Sequence, residues 1–182
     1  MSQEVMQAMQ HWINQIVMGE GLCPFARTSI LNNHFAMQMS QADSFEGAYQ
    51  DFLGGLQHFA SDHGEHLESA ALVVPYALGD FDEYLECLGA CEQAVEDSGL
   101  SGEVQLASFH PQYVFDGNEV DDHANWTNRA PYPVFHYLRE GPMAAALKRF
   151  PKPEMIPERN MAHFRGKSKE EIQKLFSFSS TY

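Results

Sequence analysis

Apolar residues recur along this chain in two periods. Between Gln3 and Met18, the residues Val5, Met9, Trp12, Ile13, Ile16 and Val17 fall on one face at helical spacing, and Gly19 and Gly21 end the segment. A second helical stripe, Phe45, Tyr49, Phe52, Leu56 and Phe59, runs to about His58 behind an Asp43/Glu46 capping pair. A third opens on Asp80 and Glu83 and reaches about Asp97, with Phe81, Leu85, Leu88 and Val95 on its inner side. Between these helices lie shorter stretches of strand character: a weak alternation over His34 to Met39, the apolar run Ala70 to Tyr76, and Glu103 to His110. A helix is expected from about Pro133 to Arg149. Pro151, Pro153 and Pro157 interrupt the chain after it, and Ser168 with Glu171 caps a last short helix.

The order is therefore α-β-α-β-α-β-loop-α-α. Alternation of strands and helices predicts an α/β fold: a small, mainly parallel sheet of three or four strands from βαβ units, covered by helices, with a helical C-terminal region. A ferredoxin-like α+β arrangement, or an extra strand within 111–120, is the alternative. At 182 residues, one domain over 1–182 is expected, its segment 151–182 a proline-broken helical tail.

Composition narrows the function classes. Apolar residues make up 44% of the chain, which fits a packed core and argues against disorder. The formal net charge is −14. It is concentrated in residues 1–100, whose one basic residue is Arg27. A chain this acidic repels nucleic acid and anionic lipid, and the basic stretch Lys148 to Lys174, interleaved with glutamates, reads as a solvated tail. No apolar run is long enough to span a bilayer. Three cysteines do not suggest a disulfide framework, so a reducing cytoplasm is the simplest location. The expected partner is a small anionic molecule; no cofactor or oligomeric state is indicated.

The densest chemistry lies between Ser108 and Glu140. It holds His110, Asp116, Asp121, Asp122, His123, Asn125, Asn128, Arg129, His136 and Arg139 among aromatics and prolines. These side chains bind anions, ligate metals and move protons. In a parallel sheet the strands ending at Tyr76 and His110 finish on one edge, where ligands of open α/β sheets bind. His110 is the candidate general acid/base, with Asp122 to orient it and Cys23 a candidate nucleophile. Arg27, Asn125, Asn128, Arg129, Tyr132, His136 and Arg139 are candidate substrate-binding groups, His136 and Arg139 sharing a helical face. Cys23 precedes Pro24 and is placed to cap a short helix there, where the helix end and Arg27 would stabilise a thiolate. A buried, inert Cys23 is the competing reading, and Cys87 and Cys91 read as core residues. His110, Asp122, His123 and His136 form an alternative metal set, without a recognised ligand spacing. A non-catalytic small-molecule-binding module is a third possibility.

Three stretches carry a family resemblance: L-C-P-F-A at 22–26, F-H-P-x-Y-x-F at 109–115 and N-W-T-N-R-A-P-Y-P-V-F-H-Y-L-R-E at 125–140. They resemble the bacterial domain-of-unknown-function family numbered fourteen-fifteen. The resemblance implies a one-domain protein of about this length. It brings no established activity, cofactor or catalytic residue.

Overall fold

The computed structural model describes residues 2–148 and 150–177. Helix α1 (Ser2–Trp12) continues into a π-helical turn, Ile13–Met18, and α2 (Pro24–Leu31) comes next. The chain then alternates: β1 (Phe35–Met39), α3 (Phe45–Ser61), β2 (Ser69–Val73), α4 (Phe81–Asp97) and β3 (Val104–Phe109). A long loop holding a 3-10 turn, His123–Thr127, leads to β4 (Val134–Arg139) and α5 (Glu140–Leu147). Helices α6 (Ile156–Arg165) and α7 (Lys169–Leu175) end the described chain. No helix among the described residues is long and apolar enough to cross a membrane.

The strands form one mixed sheet in the order β1-β2-β4-β3. Only β1 and β2 pair in parallel; β4 lies antiparallel between β2 and β3. The sheet is thus not mainly parallel, and the reason is local. Val134 to Arg139, expected to be helical, is a strand. A short apolar run is ambiguous between the two periods, and V-F-H-Y-L-R is rich in residues that fit a pleated, two-sided environment. Its helical continuation begins only at Glu140, and Arg149, the expected end of that helix, lies outside the described residues. With β4 inserted, the unit β2–α4–β3 becomes a split βαβ. The ends of β2 and β3 do share an edge: Val73 and Phe109 both register with Val134.

Strand alternation sends side chains to two cores. On one face α3 and α4 bury Phe52, Leu56, Tyr84 and Cys87 against Leu72, Phe135 and Tyr137. On the other, α1 and the π-helical turn bury Met9, Trp12 and Ile16 against Ala71, Val73 and Val134. Phe164, Ile172 and Phe176 belong to this second core, so the segment expected to be a solvated tail in fact closes it.

Capping explains most helix starts. Asp80 accepts from the N–H groups of Asp82 and Glu83, and Ser168 and Glu171 form the expected capping box. The cap of α3 is Ser44, which accepts from the N–H of Gly47; the Asp43/Glu46 pair is not used. Cys23 does cap α2, its Sγ accepting from the N–H of Ala26 at 3.4 Å.

Candidate functional site

The polar loop after β3 spends most of its side chains on main-chain groups, its own and its neighbours'. His110 is fully buried. Its Nε2 lies 2.9 Å from the Leu78 carbonyl, and its Nδ1 accepts from the N–H of Gln112 at 3.0 Å. Both nitrogens of a neutral imidazole are thereby used, and burial holds its pKa below the ordinary histidine value. Asp122 does not reach His110 to orient it. It caps the 3-10 turn through the N–H of Ala124 and makes a forked ion pair with Arg165, which lowers its pKa to about 2.

The amides behave likewise. Asn125 is buried, its Oδ1 accepting from the N–H of Phe115 and its Nδ2 donating to the Glu119 carbonyl. Asn128 donates to the Ser108 carbonyl. The guanidinium of Arg129 donates to the carbonyls of Tyr113 and Val120 and stacks over Trp126 at 4.7 Å. Tyr132 packs on the edge of the second core. These contacts give the 110–133 loop its shape, as Asn and Asp commonly do in turns.

Arg139 serves α3. It donates to the carbonyls of Leu67 and Phe59, lies over the Phe59 ring and stands 3.8 Å from Asp62. Because β4 is a strand, His136 and Arg139 face opposite sides of the sheet and share no cleft. Arg27 is exposed on α2. The four alternative metal ligands do not converge. His123 donates to the Lys167 carbonyl, His110 and Asp122 are engaged by the loop and by Arg165, and His136 lies elsewhere. Among the described residues no group of three or more His, Cys, Asp or Glu side chains is placed to hold a metal ion.

His136 instead lines a cavity of about 110 Å³ between the second face of the sheet, α1, the π-helical turn and α2. The register explains the space. On the flanking strands His136 is paired with Ala71 and with Ala107, so a row of small side chains borders the imidazole. Phe35 and Phe109 stand edge-on and tilted to it at 6.0 and 6.3 Å. The Nε2 of His136 is buried and has no hydrogen-bond partner. Burial alone depresses its pKa to about 4, so the ring is neutral near pH 7.

Cys23 lines the same cavity. Burial pushes its thiol pKa up, against the N–H groups of Ala26 and Phe25. The expected thiolate is not what this environment favours; the thiol stays protonated at neutral pH. Each of the three stretches that carry the family resemblance contributes wall: Cys23 and Ala26 from the first, Phe109 from the second, Val134, His136 and Leu138 from the third. They meet although more than a hundred positions separate the first from the last.

Several wall residues carry no chemical signal of their own. Ala71, Ala107 and Met143 have no side chain that marks a site. The available hint is the alanine in two strands where β-branched residues are usual. The π-helical turn, which supplies Ile13 and Val17 to the wall, is hidden inside a continuous helical pattern.

Similarity to known proteins adds a family and nothing narrower. No curated protein and no solved structure gives a significant match to the chain. Residues 4–174 match the family described as "Protein of unknown function (DUF1415)", and the chain belongs to that family.

Proposed function

We propose that the chain is a small-molecule-binding protein whose site is the cavity around His136. The observation that carries this reading is the buried, unpartnered Nε2 of an imidazole that lines a largely apolar cavity. A buried polar atom without a partner costs roughly 1–3 kcal/mol, and native proteins keep few of them without a use. Cavities of comparable size, around 150 Å³, stay dry when apolar and take up a benzene-sized guest. The π-helical turn beside the cavity points the same way, since such turns occur disproportionately at functional sites.

The polar loop is the weaker candidate because its Arg, Asn and His donors already hold main-chain carbonyls. An anion arriving there would have to displace those bonds. At the cavity, no hydrogen bond of the His136 Nε2 must be broken.

A thermal-shift series with one-ring compounds tests the reading, run on the wild type and on Ala107→Leu, which fills the space. Stabilisation of the wild type that is lost in the filled variant is the expected result. Equal shifts in both proteins, or none in either, would remove the cavity as the site.

A further inference from the structure

The walls of this cavity define a narrow class of guest. No Asp, Glu, Lys or Arg lines it among the described residues. Most of the polar groups that do reach it are already committed. The indole N–H of Trp12 donates to the Arg129 carbonyl at 2.9 Å. The hydroxyl of Ser69 is paired with that of Ser29 at 3.2 Å. The sulfur of Cys23 accepts from the N–H of Ala26 and keeps only a weak S–H donor. Among the described wall residues, His136 is the strong polar side chain with capacity left.

Charge decides the next step. An ion carried into this wall loses its hydration and meets no counter-charge, which is prohibitive unless the ion neutralises. A carboxylate could enter only by taking a proton, or by having His136 take one against its burial. A neutral hydroxyl loses less hydration and can give its proton to an imidazole nitrogen. The volume suits a small guest, since about 110 Å³ is close to the space that holds one ring.

On the reading that the cavity is a binding site, we infer that its guest is an uncharged, single-ring, largely apolar molecule with one hydrogen-bonding group that pairs with His136. Phenol represents the class; toluene has the shape without the hydroxyl, and benzoate the ring with a charge. Phenol stacks among Trp12, Phe35 and Phe109 and satisfies the imidazole, whereas toluene leaves it unpaired.

The test is calorimetric titration of the full chain at pH 7 with phenol, toluene and benzoate, on wild type, His136→Phe and Ala107→Leu. In the wild type phenol should bind roughly tenfold more tightly than toluene, about the value of one buried hydrogen bond, and benzoate should not bind detectably. In His136→Phe the preference for phenol should vanish. Toluene binding as well as phenol in the wild type, or benzoate binding best, overturns the ligand class while leaving the cavity as a site. Failure of all three to bind, or binding unchanged in Ala107→Leu, overturns the underlying reading instead. Should His136→Phe not fold, the imidazole ¹⁵N resonances of His136 in the wild type decide: phenol must shift them, and an unmoved resonance at saturating phenol refutes the pairing.

Discussion

The two faces of the sheet are packed by opposite rules, and β4 supplies both. Towards α3 and α4 it sends Phe135 and Tyr137. Phe135 stacks on Tyr84 at 5.1 Å and meets Phe52 edge-on at 5.6 Å. The polar tips are bonded: the hydroxyl of Tyr84 donates to the Val134 carbonyl at 2.7 Å, and that of Tyr137 to the Phe52 carbonyl at 2.9 Å. Even the approach is tailored, because a side chain at Gly55 would meet the Tyr137 hydroxyl at 2.7 Å. Towards α1 and α2 the same strand sends His136, flanked by alanines, with its Nε2 unpaired. One face is closely packed with its tyrosine hydroxyls bonded; the other holds the 110 Å³ cavity and one unused polar atom. The closer packing lies on the first face, and the proposed binding site lies on the second.

Substitutions on neighbouring positions of β4 should therefore behave differently. Phe135→Ala removes a fully buried ring from the closely packed face and should cost about 3–5 kcal/mol. That is a large share of the stability of an ordinary domain, and a urea midpoint shift will show it. A cost under about 1 kcal/mol would mean the face collapses around the gap and is not rigidly packed.

His136→Phe should instead act through pH. The folded chain holds His136 at a pKa of about 4 against an ordinary value of 6.5. Between those values the unfolded chain binds the extra proton, so this contribution is complete above pH 6.5 and is lost as pH falls towards 4. It amounts to up to about 3 kcal/mol at the acid end. His110, whose burial lowers its pKa too, adds a slope of the same sign in both proteins and cancels in their difference. Urea unfolding at about pH 7 and about pH 4.5 should show the wild type weakening more than the variant. Parallel losses would place His136 in a wetter setting than this cavity.

The smallest effect concerns the turn that frames the open face. A side chain at Gly19 would stand 2.2 Å from the Gln15 carbonyl oxygen, so the end of the π-helical turn must move to accept one. Gly19→Ala should cost about 1–2 kcal/mol by thermal unfolding and loosen binding at the cavity. A neutral substitution would show that the turn is not held in its π-helical form.

The candidate residues of the polar loop teach a related lesson. His110, Asn125, Asn128 and Arg129 are legible as hydrogen-bonding side chains, and that is how they act, but towards the loop's own carbonyls and its neighbours'. Sequence shows a donor's capacity and not its partner. Cys23 and His136 are also legible as candidates. Their common cavity is not, because it depends on the pairing of β4 with Ala71 and Ala107.

What the chain announces in its own order is whatever rests on neighbours in sequence. The stripes of α1, α3 and α4, the Asp80 and Ser168 caps, the Cys23–Pro24 start of α2 and the strands before His110 all depend on residues within a few positions. Three matters depend on contacts between distant segments. One is that Val134 to Arg139 is a strand, stabilised by hydrogen bonding to β2 and β3 on both sides. Another is the direction of the sheet, which that insertion changes. The last is the cavity, whose walls come from α1, α2, all four strands and α5. Local propensity cannot choose between helix and strand for a six-residue apolar run. The choice is made by the two strands waiting on either side of it, whose open hydrogen-bonding edges only a central strand can satisfy.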